Sequence, residues 1–182
     1  MALFKNKYRI ESLRLPDFDY SQTGYYFITI CTNKRQMFFG DIINDKMQPT
    51  KIGKIVRDFW FEIPSKFYFA EIDEFILMPN HIHGIIFLNR IPSGKSNKNT
   101  NKKGGFAGEK NPILKENLSR IIRWFKGRVT FEARKVEPDF AWQTRFYDRI
   151  IRTEKELFNL RNYVRNNHLK WDKDELNIKR NG

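Results

Sequence analysis

The segment that most constrains the fold is ILMPNHIHGIIFLN, residues 76–89, in which two apolar runs flank a Met-Pro-Asn triplet. A Pro-Asn pair between apolar runs is typical of a turn between strands. We therefore predict a β-hairpin with strands over 67–78 and 82–89. The two histidines of the segment open the second strand of this hairpin.

His81 and His83 are two of the three histidines in the chain. Because the side-chain period of a strand is two, they should point to one face of the strand and Ile82 to the other. Two imidazoles that project from a stiff backbone are suited to bind a cation such as Mn²⁺ or Zn²⁺. The alternative is a structural role, with one histidine partly buried at the mouth of the strand and the other exposed.

Two histidines do not complete a metal site. No Asp or Glu adjoins the pair, although Glu71, Asp73 and Glu74 lie on the preceding stretch. The late segment LRNYVRNNHLKW offers another answer, because Tyr163 and Asn167 are four residues apart and should share one face of a helix. A phenol and an amide oxygen would then reach the same place.

The other predicted elements follow from hydrophobic periodicity, turn residues and helix caps. They are a strand over 25–32, a small hairpin over 38–49, a helix from Thr50 to about Phe61, a basic-sided helix with an apolar stripe from Leu114 to Val129, another strand or tight connection over 140–151, and a helix from Thr153 to about His168. The last helix should begin with a capping box, since Glu156 follows Thr153 by three residues.

Residues 93–112 carry almost no large apolar side chains and have five lysines against one glutamate. Such a segment cannot bury enough apolar surface to offset the entropy of ordering, so we predict a flexible loop. The 182 residues are enough for one domain with a substantial core. We therefore expect a single domain over 1–182.

The charge of the chain indicates a polyanionic partner. Lys and Arg number 34 against 21 Asp and Glu, which gives a net charge of +13. Nucleic acid is the first candidate and an acidic membrane surface the second. The lone cysteine, Cys31, cannot form an internal disulfide, and the chain has no 18-residue apolar run and no stretch like a signal peptide. We therefore expect a cytoplasmic protein without a membrane span.

Four blocks of the sequence, in this order, resemble the REP-associated tyrosine transposases. They are GYYFITICTNKR (24–35), MPNHIHGIIF (78–87), WQTRFYDRIIRTEKEL (142–157) and YVRNN (163–167). This family is a branch of the single-tyrosine HUH endonucleases, related to the transposases of the smallest insertion sequences. The opening over 8–26 is also similar to the family's leader, so the resemblance covers nearly the whole chain.

The resemblance implies both a fold and a chemistry. The fold would be α+β, an antiparallel sheet of four or five strands with the histidines at its centre and helices packed on it, ferredoxin-like or RRM-like. Tyr163 would be the nucleophile, and His81, His83 and Asn167 would bind a divalent metal, Mg²⁺ or Mn²⁺. The enzyme would cleave and rejoin single-stranded DNA near a hairpin through a 5′-phosphotyrosine.

The predicted DNA contacts lie on two segments of the chain. Candidates for contacts to the phosphate backbone are Arg120, Arg123, Lys126 and Arg128 on the basic helix. Arg149 and Arg152 are further candidates, just before the predicted helix that carries Tyr163, which we call the tyrosine helix. Trp124 could stack on an unpaired base or cover the edge of the core. Each arginine or lysine has the alternative of being a solvated charge.

Two departures from the family pattern leave alternatives open. His168 stands where the family usually has proline, and Arg149 where it commonly has histidine. One alternative is a nucleic-acid-binding module that has lost catalysis, and another is metal-dependent hydrolysis without a covalent step. Tyr147 is a rival nucleophile, but it lacks a polar partner one helical turn on. The protein could act as a monomer or as a homodimer that shares tyrosine helices.

Overall fold

The computed structural model describes residues 22–89 and 117–177. The loop predicted over 93–112, Leu114 and most of the leader over 8–26 lie outside the described residues. None of the helices in the described part of the chain is long and apolar enough to cross a membrane.

Six strands and four α-helices occur within 22–89 and 117–177. They are β1 (Gly24–Cys31), β2 (Gly40–Ile43), β3 (Lys46–Pro49), α1 (Lys51–Phe61), α2 (Ile63–Lys66), β4 (Ala70–Leu77), β5 (His81–Leu88), α3 (Leu118–Ala133), β6 (Tyr147–Ile151) and α4 (Glu154–Asn166). A 3₁₀ helix, Asn167–Lys173, continues from α4.

The main sheet has four antiparallel strands in the order β4-β5-β1-β6. Leaving out the separate two-stranded sheet of β2 and β3, the chain order is strand, helix, two strands, helix, strand, which is the ferredoxin-like arrangement. The predicted α+β class is therefore confirmed. The histidine-bearing strand β5 lies at the centre of the sheet, between β4 and β1.

Helices cover both faces of this sheet. On one face, α1 and α3 enclose the larger core, to which alternate strand residues such as Ile28, Ile82 and Ile86 contribute. On the other face, α4 packs through Leu157 and Val164 on a smaller cluster. Because both faces are buried, β1 and β5 are apolar along most of their length.

The local signals in the sequence predict most element boundaries. The side chain of Thr50 accepts a hydrogen bond from the Gly53 amide and caps α1 as predicted. Thr153 likewise accepts from the Glu156 amide and begins α4. The capping box is not reciprocal, however, because Glu156 accepts from the amide of Arg152 and not from that of the cap residue. The tyrosine helix also ends at Asn166, two residues before the predicted end.

Candidate active site

The two histidines face α4 from the centre of the sheet. His81 lies opposite Cys31 of β1, and His83 lies opposite Thr29. Their Nε2 atoms are 3.1 Å apart, and the side chains are almost completely buried, at 0% and 3% exposure. The strand period thus brings both imidazoles to one face of the sheet, away from the α1 and α3 core.

Asn80 fixes the tautomer of His81. Its Nδ2 donates to the carbonyl oxygens of Arg35, at 3.1 Å, and Leu176, at 2.7 Å, so its Oδ1 must be the atom that faces His81. That oxygen lies 2.8 Å from His81 Nδ1. An amide oxygen only accepts, so Nδ1 carries the proton and a neutral His81 presents the lone pair of Nε2. The side chain that directs this lone pair is therefore Asn80, which the sequence did not single out.

His83 has more freedom in its tautomer. Its Nδ1 lies 2.7 Å from Thr29 Oγ1, a hydroxyl that can donate or accept. His83 can therefore donate from Nε2 to His81, or turn a lone pair there to a cation while Nδ1 donates to Thr29. Both tautomers satisfy the threonine.

Both imidazoles are neutral at physiological pH. Burial lowers the pKa of His81 well below its usual value, and repulsion from a protonated His83 and from the positive charge of Arg35 lowers it further. Burial also lowers the pKa of His83, to about 3. Neutral imidazole is the form that binds a metal ion.

The tyrosine helix brings Tyr163 and Asn167 to the pair. Tyr163 Oη lies 3.2 Å from His83 Nε2, and a hydrogen bond joins Tyr163 to Asn167. Burial raises the pKa of Tyr163, as do the charges of Asp174 and Glu175, while the bond to Asn167 opposes the increase. The phenol is therefore protonated at neutral pH. Four of the residues that the sequence predicted to form a site thus lie together.

The donor set fits a divalent cation. Two nitrogens that bind one cation at about 2.1 Å lie about 3.0–3.4 Å apart, which matches the 3.1 Å between the imidazoles. Asn167 is buried, and its Oδ1 has no hydrogen-bond partner among the described residues, so it is an orphaned acceptor. No cluster of three or more His, Cys, Asp or Glu side chains that could hold a metal occurs in 22–89 or 117–177. Asn167 lines the same cleft as His83, so this unpaired amide oxygen fits the predicted third ligand.

Two acidic residues of β4 form ion pairs with arginines of α4. Arg161 makes a bidentate pair with Asp73, with nitrogen–oxygen distances of 2.7–3.0 Å. Arg165, one turn on, pairs with Glu74. An irregularity in the β4–β5 register falls between Ile72 and Glu74, where these two consecutive carboxylates turn to the helix. We name this double ion pair the β4–α4 clamp.

His83, Tyr163 and Asn167 line a cleft of about 740 Å³. The sheet also contributes Phe27, Thr29 and Cys31, and α4 contributes Leu160. The remaining wall residues come from the segment before β6, from the first residue of β6 and from the end of the described chain: Gln143, Arg145, Phe146, Tyr147, Lys170, Lys173, Asp174, Glu175 and Leu176. His168 lines a different cavity, beside Leu77 and Arg165, so the structure does not bring the third histidine to the pair.

The basic residues predicted to bind DNA do not gather around this cleft. Helix α3 packs on the opposite face of the sheet and carries Arg120 and Arg128 there. The guanidinium group of Arg120 lies over the ring of Phe67, and that of Arg128 lies over the ring of Phe59. Trp124 packs edge-on against the same two rings, which is the core-edge alternative and not a free stacking surface.

Two other α3 side chains reach toward the segment before β6. Lys126 donates to the carbonyl of Gln143, which itself lines the cleft, and burial lowers its pKa. Arg123 lines a neighbouring cavity that also contains Gln143. Arg149 of β6 pairs with Glu156, and Arg152 is exposed just before α4.

Comparison with known proteins places the chain in a family. No family model matches it. An uncharacterized protein of Haemophilus influenzae is 38% identical over 168 residues, which are 92% of this chain and 92% of that protein. The two proteins belong to one family.

A solved structure of a REP-associated tyrosine transposase bound to a REP hairpin has the same fold. It matches with a TM-score of 0.57 and 19% identity over 87% of this chain and 74% of that one. The resemblance seen in the sequence is thus confirmed at the level of the fold.

Proposed function

We propose that this protein is a transposase-like enzyme that cleaves and rejoins single-stranded DNA beside a hairpin. Tyr163 is the nucleophile, and His81, His83 and Asn167 bind Mg²⁺ or Mn²⁺. The observation that carries the proposal is the contact of 3.2 Å between Tyr163 Oη and His83 Nε2, which joins the phenol of α4 to the paired imidazoles of β5.

A tyrosine nucleophile suits the joining of DNA strands. Its Oη forms a bond to the phosphorus, the bond from phosphorus to the 3′ oxygen breaks, and a 3′ hydroxyl leaves as a 5′-phosphotyrosine forms. One phosphodiester replaces another, so the reverse attack by a 3′ hydroxyl can join strands without ATP. A water nucleophile would lose the stored bond.

The electrostatics of the site support a role for a cation. The phenol has a raised pKa and the two imidazoles are neutral, so these three side chains supply no positive charge to the reacting phosphate. A divalent cation held by His81, His83 and Asn167 would supply that charge, by polarising a non-bridging phosphate oxygen. With two nitrogens and one amide oxygen, the site favours Mn²⁺ over Mg²⁺, which prefers oxygen ligands.

Hairpin DNA is the substrate that the fold and charge support. The transposase of the same fold is described as bound to a REP hairpin, and the net charge here is +13. Arg145, Lys170 and Lys173 bring positive charge to the cleft.

The test is a covalent-capture assay. Protein, Mn²⁺ and a 3′-end-labelled hairpin with single-stranded flanks are incubated and run on a denaturing gel. We expect a protein-linked label that Tyr163→Phe and chelation of the metal both abolish, and that Tyr147→Phe retains. Free fragments without an adduct would indicate hydrolysis instead. Binding without cleavage would indicate a nucleic-acid-binding module, and either result would refute the proposal.

The position of α4 also bears on whether two copies must cooperate. The β4–α4 clamp holds the tyrosine helix on the sheet of its own chain, so we propose that Tyr163 acts with the histidines of the same molecule. The test mixes two proteins, the Tyr163→Phe variant and a double variant with His81→Ala and His83→Ala. Neither molecule carries both the tyrosine and the histidines, so the mixture should remain inactive. Restored adduct formation would show that helices are shared within a homodimer.

A further inference from the structure

We propose that Tyr147 provides the stacking surface for an unpaired nucleobase next to the scissile phosphate, with Phe27 at the floor of the site. The inference rests on the proposed function, because it places another part of the same DNA in the same cleft. It gives Tyr147 the role of a positioning residue for the substrate.

The rings around Phe27 define this site. Phe27 is stacked on His83, with centroids 5.4 Å apart and planes at 24°. Tyr147 and Tyr163 each make an edge-to-face contact with Phe27. The interplanar angles are 69° and 70°, and the centroid distances are 6.3 and 6.0 Å, respectively. The two tyrosines therefore flank a floor that adjoins the metal-binding pair.

The exposure of these rings shows which surfaces a ligand can use. Phe27 is only 6% exposed and serves as the floor, whereas Tyr147 is 43% exposed and Tyr163 is 42% exposed. Tyr147 pairs with Thr29 in the β1–β6 register, so its side chain lies on the same face of the sheet as His83. Tyr147 begins the edge strand β6, and it remains 43% exposed beside the cleft that it lines.

The chemistry of the cleft selects the class of ligand. Phe146 and Leu160 add apolar surface to the rings, while Arg145, Lys170 and Lys173 add positive charge. Asp174 and Glu175 also line the cleft and disfavour a second anion near them. A ligand with one flat apolar group and one anionic group matches this lining, and a nucleotide with a free base is such a ligand. A base inside a duplex cannot present its face, so the base must be unpaired.

The experiment separates stacking from catalysis. The Tyr163→Phe protein, which cannot form an adduct, is titrated in Mn²⁺ with a hairpin that carries 2-aminopurine at successive positions of its single-stranded flanks. We expect strong quenching at one position. Tyr147→Leu should abolish the quenching and weaken binding by about 5-fold or more, the lower end of what one stacked base contributes. Tyr147→Phe keeps the ring and should preserve both.

A matched control is Tyr68→Leu. Tyr68 is 70% exposed but does not line the cleft, so its replacement should change neither quenching nor affinity. If Tyr147→Leu behaves like Tyr68→Leu, or if no position is quenched in the parent, the inference is wrong.

A second measurement does not depend on the folding of the leucine variant. With 5-iodouracil at the quenched position, irradiation should cross-link the DNA to Tyr147, located by mass spectrometry, and a cross-link confined to other residues would overturn the inference. Both measurements use a protein with Tyr163 blocked. Absence of an adduct with the protein that retains Tyr163 therefore refutes the proposed function alone, and absence of the Tyr147 signals in the Tyr163→Phe protein refutes this inference alone.

Discussion

Replacing Gly84 by alanine should destabilise the protein strongly, because the ring of Trp60 occupies the space of the added methyl group. A Cβ at Gly84 would lie 2.2 Å from Trp60 Cζ2 and 2.7 Å from Cη2. Ordinary contact between carbons is about 3.5–4.0 Å, so the ring or the strand must move by more than 1 Å. The ring cannot yield easily, since it is fully buried between Phe75 and Phe125.

The expected cost is about 3 kcal/mol, the upper end of the usual range for overpacking. Trp60→Phe should relieve the overlap because it removes the ring atoms that the methyl group meets. Alone, this substitution should cost only about 1 kcal/mol, because the lost contacts are partly offset by removing an indole N–H that is buried without a partner. The double variant should therefore be more stable than Gly84→Ala by about 2 kcal/mol.

Urea unfolding followed by far-ultraviolet circular dichroism measures these differences without relying on tryptophan fluorescence. The matched control is Gly127→Ala on the exposed side of α3, where an added Cβ meets nothing within 4 Å. It should stabilise the protein by about 0.5–1 kcal/mol through helix propensity. The packing argument is refuted if Gly84→Ala is as harmless as this control, or if Trp60→Phe leaves its cost unchanged.

Three further predictions concern the pH dependence of stability, the N-terminal cap of α4 and the β4–α4 clamp. Without added metal, the free energy of unfolding should decrease as the pH falls from about 6.5 towards 3, because the unfolded chain protonates His81 and His83 before the folded one does. The contribution of the two neutral histidines to the free energy of unfolding is fully present above about pH 6.5 and is lost as the pH falls. A variant with glutamine at both positions should show a flatter pH profile. Thr153→Ala removes the cap of α4 and should cost about 1 kcal/mol in urea unfolding. Arg161→Ala removes the bidentate half of the β4–α4 clamp and should cost about 1–2 kcal/mol, whereas the more exposed Arg165→Ala should cost less in the same assay.

The convergence of the site was predictable because it depends on two short-range periods. The period of two in a strand puts His81 and His83 on one face, and the helical spacing of four puts Tyr163 and Asn167 together. Neither period states that the strand and the helix meet. That step came from the order of four sequence blocks, and the structure shows the meeting as the contact between Tyr163 and His83.

The residues that were missed depend on long-range contacts. Asn80 was noted only as part of a turn, yet it reaches the carbonyls of Arg35 and Leu176 from distant parts of the chain. The β4–α4 clamp needs an irregular strand register, which a pattern of apolar residues does not show. The apolar stripe of α3 correctly predicted which side of the helix is buried, but not which face of the sheet it covers. The sequence could therefore not show that Arg120 and Arg128 lie on the face of the sheet opposite the histidines.

Alternate residues of β5 belong to different layers, because imidazoles face α4 while Ile82 and Gly84 face the core around Trp60. Loss or gain of a single residue within the strand would turn each side chain beyond it to the other face of the sheet. Histidines would then face the apolar core, and isoleucines would line the cleft. Evolution can therefore exchange one amino acid for another along β5 but cannot change its length by one. Relatives that keep both histidines should align with β5 without gaps.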